Sequence, residues 1–141
     1  VNLVFALDEA LKMMREEGLD NIFLRHNKHK LAMSNAVKAL NLKLFADEKY
    51  LSPSITAIKT EGMDAEEFRK KIKNNFDILL AGGQDHLKGK IFRVGHLGYV
   101  NDRDIITVVS AISNTLLDLG KITAQQAGEA LVVVSKYLEG N

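Results

Sequence analysis

Apolar residues recur every three or four positions through the first 40 residues, which is the spacing of one face of an α-helix. This pattern predicts a first helix from about Ala6 to Glu17, ended by Gly18, because glycine commonly follows a helix C-terminus. It predicts a second helix that Asp20 caps and that runs to about Leu40. The chain therefore opens with two consecutive helices.

The middle of the chain changes to short apolar runs bounded by turn residues, which are typical of strands. A capping-box variant, Asp64 with Glu67, predicts a helix between these runs that extends to about Phe76. The runs predict four strands, at Lys43–Phe45, Ile55–Thr60, Ile78–Ala81 and Ile91–Val94.

Two further helical patterns close the sequence. Asn101 caps a strongly amphipathic helix over about 102–119, and Thr123 with Gln126 starts a last helix through about Leu138. The inner face of the first of these is predicted to carry Ile105, Ile106, Val109, Ile112 and Leu116. The order α-α-β-β-α-β-β-α-α predicts an α+β fold, with a small, mostly antiparallel sheet and helices packed on one face.

Composition narrows the function classes. The chain has 141 residues, a formal net charge of +1 and no cysteine. We therefore expect no nucleic-acid or membrane partner, no disulfide or thiolate metal site, and no cysteine nucleophile. No apolar run approaches the roughly 18 residues that cross a bilayer, so we expect a cytoplasmic protein. Because the chain begins with Val1 rather than methionine and enters a helical pattern almost at once, we expect a fragment of a longer protein or a processed chain.

A glycine-rich loop, GGQDHLKGK, lies before the fourth predicted strand. A phosphate-binding loop needs four residues between its first glycine and Gly-Lys-Ser/Thr, followed by a helix. Here five residues separate Gly83 from Gly89, Ile91 replaces the hydroxyl residue, and a strand follows. We reject the nucleotide-binding interpretation in favour of a hairpin connection, although paired glycines also allow close approach of backbone to a ligand.

Histidines and paired acids offer weaker candidates. His26 and His29 have helical spacing, but the surrounding RHNKHK is basic and lacks a third ligand, so a solvated helical face is preferred over a metal site. His86 and His96 have no evident orienting partner in the sequence. Adjacent acids do not face each other on a helix and are interpreted as solvated: Asp8/Glu9, Glu16/Glu17 and Glu66/Glu67.

An arginine interrupts the fourth predicted strand. Alternation places Ile91, Arg93 and Gly95 on one face, with Phe92 and Val94 on the other. The glycine leaves room beside a guanidinium whose planar fork suits a carboxylate. The alternative is a surface arginine on an edge strand, with no function.

A string of short motifs runs through the chain in a fixed order. They are EEGLDNIFLRH (16–26), Gly62-Met63-Asp64, Ala81-Gly82-Gly83, Gly89-Lys90, Phe92-Arg93-Val94-Gly95, Gly98 and Asn101. In this order they resemble the C-terminal domain of class V aminotransferases, which are pyridoxal-phosphate enzymes of fold type I. The resemblance is greatest to alanine–glyoxylate and serine–glyoxylate (serine–pyruvate) aminotransferases, including relatives labelled soluble hydrogenase subunit. It covers about residues 1–120 and leaves 121–141 as an additional C-terminal helix.

The resemblance implies a ping-pong transamination between a small amino acid and a keto acid. It implies that Arg93 binds the substrate α-carboxylate and that Gly82 and Gly83 border the active site. Pyridoxal phosphate and its Schiff-base lysine would belong to a large domain upstream, since no lysine of this chain matches that motif. No catalytic, cofactor-binding or metal-ligating residue is therefore expected here, and the whole enzyme is expected to be a homodimer.

Two rival interpretations remain open. One is a stand-alone α+β module that binds an amino acid through Arg93 without chemistry, and the other is a structural domain that contributes to a dimer. The absence of cysteine gives no support to hydrogenase metal chemistry in this segment.

Overall fold

Five helices and four short strands follow one another in the predicted order. The computed structural model describes residues 1–140. The helices are α1 (Asn2–Glu17), α2 (Leu19–Ala39), α3 (Ala65–Phe76), α4 (Asp102–Asp118) and α5 (Ala124–Leu138). The strands are β1 (Lys43–Leu44), β2 (Ile55–Lys59), β3 (Ala81–Gly82) and β4 (Ile91–Gly95).

The four strands form one antiparallel sheet in the order β1-β2-β4-β3. Strand β4 lies inside the sheet, where Arg93 pairs with Ala57 on β2 and with Ala81 on β3. Phe92 and Val94 are buried against the helices, whereas the opposite face of β4 carries Arg93. The α+β fold with helices on one face is confirmed.

Helices α2, α4 and α5 share a single hydrophobic core with the inner face of the sheet. Ala130 and Val134 of α5 are completely buried in this core, so the last helix is part of it, as α2 and α4 are. A domain boundary at residue 120 stays a prediction. The final residue of the predicted segment 121–141, Asn141, lies outside the described residues.

Three local expectations are wrong. Gly18, with a φ of +81°, is the N-cap of α2, and Asp20 lies in the first turn without making a capping hydrogen bond. Strand β3 begins at Ala81 because left-handed Asp77 ends α3 and the chain must first return to the sheet. Ile106 is exposed, because a helical period of 3.6 carries it away from the stripe through Ile105.

Helix α1 differs from the other four helices because none of its residues is buried. Its apolar residues, among them Leu3 and Leu7, are exposed. Among residues 1–140, no helix combines the length and apolar character needed to cross a membrane.

Candidate functional site

Arg93 lies on the sheet face that no helix covers, and it lies on an inner strand rather than at an edge. Its two cross-strand neighbours on that face, Ala57 and Ala81, are small. At Gly95, two residues further along β4, an added Cβ would find no atom within 4 Å. Three of the positions next to Arg93 on that face are therefore small, and they leave space for another group.

The side chain of Arg93 is fixed at one end. Its Nε donates a hydrogen bond to the carbonyl oxygen of Gly82, at 2.9 Å. The N–H group of Gly83 donates a hydrogen bond to the carbonyl oxygen of Ile91 on β4, at 3.1 Å. Alternate residues of an antiparallel strand direct their backbone groups towards the partner strand, so the carbonyl of Gly82 points away from β4. The Nη1 and Nη2 groups of Arg93 make no hydrogen bond to any of residues 1–140. A carboxylate could accept two parallel hydrogen bonds from these two nitrogens.

Gly82 contacts Arg93 and Gly83 follows it, and the structure explains why Gly83 is glycine. An added Cβ on Gly83 would stand 2.0 Å from the carbonyl oxygen of Leu87. One on Gly82 would stand 2.5 Å from Nη1 of Arg69. The close approach predicted for these glycines is thus made to the protein's own atoms, and a place at an active-site border stays a prediction.

The basic stretch on α2 is not a solvated face, and that interpretation is wrong. His29 is 0% exposed and His26 is 8% exposed. Both lie beneath residues 96–102, the β4–α4 junction, which joins the Arg93 strand to α4. Among residues 1–140, no three His, Asp or Glu side chains are grouped closely enough to hold a metal ion.

Arg25 and His26 bind the backbone of the β4–α4 junction. Nη1 of Arg25 donates to the carbonyl oxygens of Gly98 and Val100, at 2.8 and 2.9 Å. Nε and Nη2 of Arg25 pair bidentately with Glu17, at 2.6 and 2.8 Å, and this hydrogen-bonded pair lowers the pKa of Glu17. Nε2 of His26 accepts a hydrogen bond from the N–H of Gly98, at 3.2 Å. The junction is therefore held at both its carbonyl and its amide groups.

His29 and Lys28 bind the first residue of α4. Both side chains reach the Asp102 carboxylate, each at 2.8 Å. Desolvation lowers the pKa of His29, whose buried Nδ1 has no partner among residues 1–140, so the ring is a neutral Nε2–H donor at pH 7. Desolvation alone would raise the pKa of Asp102, but the hydrogen bonds from Lys28 and His29 outweigh it and lower that pKa.

His96 opens the junction and, contrary to the expectation from sequence, has two orienting partners. Thr56 Oγ1 lies 2.9 Å from its Nε2, and the Pro53 carbonyl oxygen accepts from Nδ1 at 3.1 Å. Desolvation lowers the pKa of this fully buried ring to about 4. His86, by contrast, is exposed in the loop between β3 and β4.

The acidic pairs are solvated only in part. Glu17 binds Arg25, and Glu66 binds Arg69 at 2.8 Å, so one member of each of these pairs is held by an arginine. The sequence did contain a signal, because Arg25, Lys28 and His29 stand at i, i+3 and i+4, the spacing of one helix face. That signal indicates a shared partner but does not identify it.

Comparison with known proteins gives the chain a family context. It is 56% identical over 138 residues to a soluble hydrogenase small subunit of Synechococcus sp. (strain PCC 6716), covering 98% of this chain and 36% of that protein. It is 34% identical over 142 residues to a serine–glyoxylate aminotransferase of Methylorubrum extorquens, covering 99% of this chain and 35% of that protein. No family model matches the chain.

A solved structure agrees with this. Ureidoglycine–glyoxylate aminotransferase from Bacillus subtilis superposes on 94% of this chain with a TM-score of 0.85 and 32% identity, over 35% of its own length. This chain is homologous to the C-terminal portion of class V aminotransferases. It spans about a third of the length of the relatives it matches. The resemblance seen in the motifs is confirmed.

Proposed function

We propose that this chain is the substrate-carboxylate-binding domain of a pyridoxal-phosphate-dependent aminotransferase. The observation that carries the proposal is Arg93 on the uncovered face of the sheet: Gly82 fixes its Nε, and its Nη1 and Nη2 bind none of residues 1–140. These two nitrogens would bind the α-carboxylate of a small amino acid such as serine or alanine, and then that of glyoxylate or pyruvate. Gly82 and Gly83 would border that site.

The task of this chain in such a reaction is binding and orientation. Arg93 would hold the substrate carboxylate at a fixed point, so that the reacting carbon is presented to the rest of the site in one orientation. Pyridoxal phosphate, when bound, supplies the electron sink. We propose that its contacts and the Schiff-base lysine belong to the part of the enzyme outside this chain, and that the whole enzyme is a cytoplasmic homodimer.

Arg93 also supports a second candidate function. A stand-alone module could bind an amino acid through the same guanidinium without catalysing a reaction, because the fixed fork needs no cofactor to pair with a carboxylate. The two candidates differ in one observable, which is whether the longer protein that carries this chain binds pyridoxal phosphate.

The test is Arg93→Lys in that longer protein, assayed for transamination and for the visible absorbance of the bound cofactor. We expect kcat/KM for the amino donor to fall by the equivalent of about 2–4 kcal/mol, because a point charge cannot reproduce a bidentate fork. Cofactor absorbance should be unchanged. Arg103→Lys, an exposed arginine of α4, is the matched control.

Two results would contradict these proposals. Unchanged kinetics in Arg93→Lys would remove Arg93 from the substrate site. A protein that binds no pyridoxal phosphate, while the chain still binds an amino acid in calorimetry, would favour the stand-alone module.

A further inference from the structure

We propose that Arg69, held by Glu66, is a positioning residue for Arg93: it fixes the free edge of β3 from which Arg93 presents its guanidinium. The proposal rests on the proposed function insofar as Arg93 binds a substrate carboxylate. Arg69 and Arg93 reach the outer edge of β3 from opposite faces of the sheet.

Strand β3 is an edge strand of two residues, Ala81 and Gly82, and its outward carbonyl group needs a partner other than a strand. That group belongs to Gly82, and Nε of Arg93 donates to it at 2.9 Å. Nε of Arg69 donates to the carbonyl of Leu80, the residue just before the strand, at 2.7 Å. The start and the end of β3 are thus each bound by one arginine.

The two arginines approach the edge from different sides. Arg69 comes from α3 on the helix-covered face, whereas Arg93 comes from the uncovered face. A Cβ on Gly82 would lie 2.5 Å from Nη1 and 3.1 Å from Cζ of Arg69, so the Arg69 guanidinium occupies the space that a side chain would fill. The Gly82 residue is therefore held between Arg69 on one side and the Nε of Arg93 on the other.

Glu66 keeps Arg69 in this place and balances its charge. Nη1 of Arg69 donates to Oε2 of Glu66 at 2.8 Å. Oε1 of Glu66 would lie 2.6 Å from the added Cβ of Gly82, and this buried atom has no hydrogen-bond partner in the described part of the chain. Arg69 is thus neutralised by Glu66, whereas Arg93 has no carboxylate partner among residues 1–140. An incoming anion is attracted to Arg93 rather than to Arg69.

Removal of Arg69 would free the edge on which Arg93 rests. A ladder of two residues cannot hold Gly82 in place as firmly as a long strand does, and the Leu80 carbonyl would lose its donor. The Gly82 carbonyl would then move, and the Nη1 and Nη2 groups of Arg93 would no longer be presented in one orientation. A small misplacement of a positioning group reduces catalytic rates considerably.

The kinetic test uses the longer protein with Arg69→Ala, Arg93→Lys and the double variant. We expect Arg69→Ala to lower kcat/KM for the amino donor roughly tenfold, mostly through KM. Because Arg69 acts through Arg93, the double variant should be no slower than Arg93→Lys alone. Lys70→Ala, an exposed neighbour on α3, is the matched control. Additive effects in the double variant would overturn the proposal.

A second measurement does not depend on enzyme activity. In this chain, the side-chain Nε–H of Arg93 should exchange with solvent more slowly by NMR than that of exposed Arg103, and Arg69→Ala should abolish the difference. An unchanged Arg93 exchange rate in that variant overturns the positioning role. If the longer protein binds no cofactor, the proposed function fails. The exchange rate of the Arg93 Nε–H still shows whether Arg69 positions Arg93.

A conservative variant covers the case in which Arg69→Ala does not fold. Arg69→Lys keeps the charge and the aliphatic stem but cannot bind the Leu80 carbonyl and Glu66 with one planar group. We expect a partial loss of kcat/KM and a partial loss of Arg93 Nε–H protection. Wild-type values for both in a folded Arg69→Lys variant would contradict the proposal.

Discussion

Two basic regions of this molecule use their arginines in opposite ways. At the β4–α4 junction, Arg25 makes four hydrogen bonds, two to Glu17 and two to backbone carbonyls. On the uncovered sheet face, Arg93 makes one with the part of the chain that the structure describes, to the carbonyl of Gly82. A guanidinium has five N–H donors, so within residues 1–140 almost all donors of Arg25 are used and most donors of Arg93 are not. The difference separates an arginine that stabilises the fold from one that is available to a ligand.

Charge balance gives the same distinction. At the junction each cation has a carboxylate, since Glu17 pairs with Arg25 and Asp102 pairs with Lys28. Burial lowers the pKa of His29 and of His96, so these rings are neutral at pH 7. The junction therefore has no cation left for a substrate, whereas Arg93 has no carboxylate among residues 1–140.

Arg25→Ala and Arg93→Ala should show the largest difference in the free energy of unfolding. Arg25→Ala leaves two junction carbonyls without their donor, so we expect the free energy of unfolding to fall by about 3 kcal/mol, since hydrogen bonds to charged groups contribute about 1.5–3 kcal/mol each and these are partly exposed. Arg93→Ala removes one hydrogen bond of the same kind and should cost about 1.5 kcal/mol, half as much. Urea unfolding of both variants measures the difference. Equal losses would mean that Arg93 is also a structural residue.

Acidification should destabilise the junction through His96. Its pKa is about 4 in the folded chain, below the unfolded value of 6.5, so the unfolded chain binds more protons between these pH values. The free energy of unfolding should therefore fall by about 3 kcal/mol as the pH drops from 6.5 to below 4, where the folded chain also binds the proton and the contribution of this group ends. His29, with its lowered pKa, acts in the same direction.

His96→Gln is the variant that tests this assignment. It should be less stable than the wild type at pH 7 but should show a shallower loss of stability between pH 6.5 and 4 in urea unfolding. His86→Gln alters an exposed ring and should keep the wild-type pH dependence. A wild-type slope in His96→Gln would assign the pH dependence to other groups.

The sequence was sufficient for the elements that depend on local periodicity. The order of helices and strands, the caps at Asn101 and Thr123 and the two faces of β4 could be predicted, because each is encoded within a few residues. The partner of His29 and the two carbonyl partners of Arg25 could not, since they lie more than 70 positions away along the chain. A basic helix face has the same pattern whether it meets water or a backbone loop.

In the candidate site, too, one residue could be predicted from the sequence and the other could not. Arg93 could be selected from strand alternation and from the family motif, whereas Arg69 could not. Its role depends on the space at Gly82 and on the contact with the Leu80 carbonyl, which exist only once α3 packs against β3. Contacts between elements that are distant in the chain therefore have to come from the structure.

The smallest expected difference between the two regions is in the effect of an alanine at one glycine of each. Gly98, in the junction, has a φ of +85°, which disfavours any residue with a Cβ, and neither it nor Gly95 has an atom within 4 Å of an added Cβ. Gly98→Ala should therefore cost about 1 kcal/mol through backbone strain alone. Gly95→Ala, on the Arg93 face, should leave the stability unchanged or slightly higher, because alanine loses less backbone entropy on folding. Thermal unfolding of both variants measures the pair, and an equal loss in Gly95→Ala would show that the space beside Arg93 is already filled.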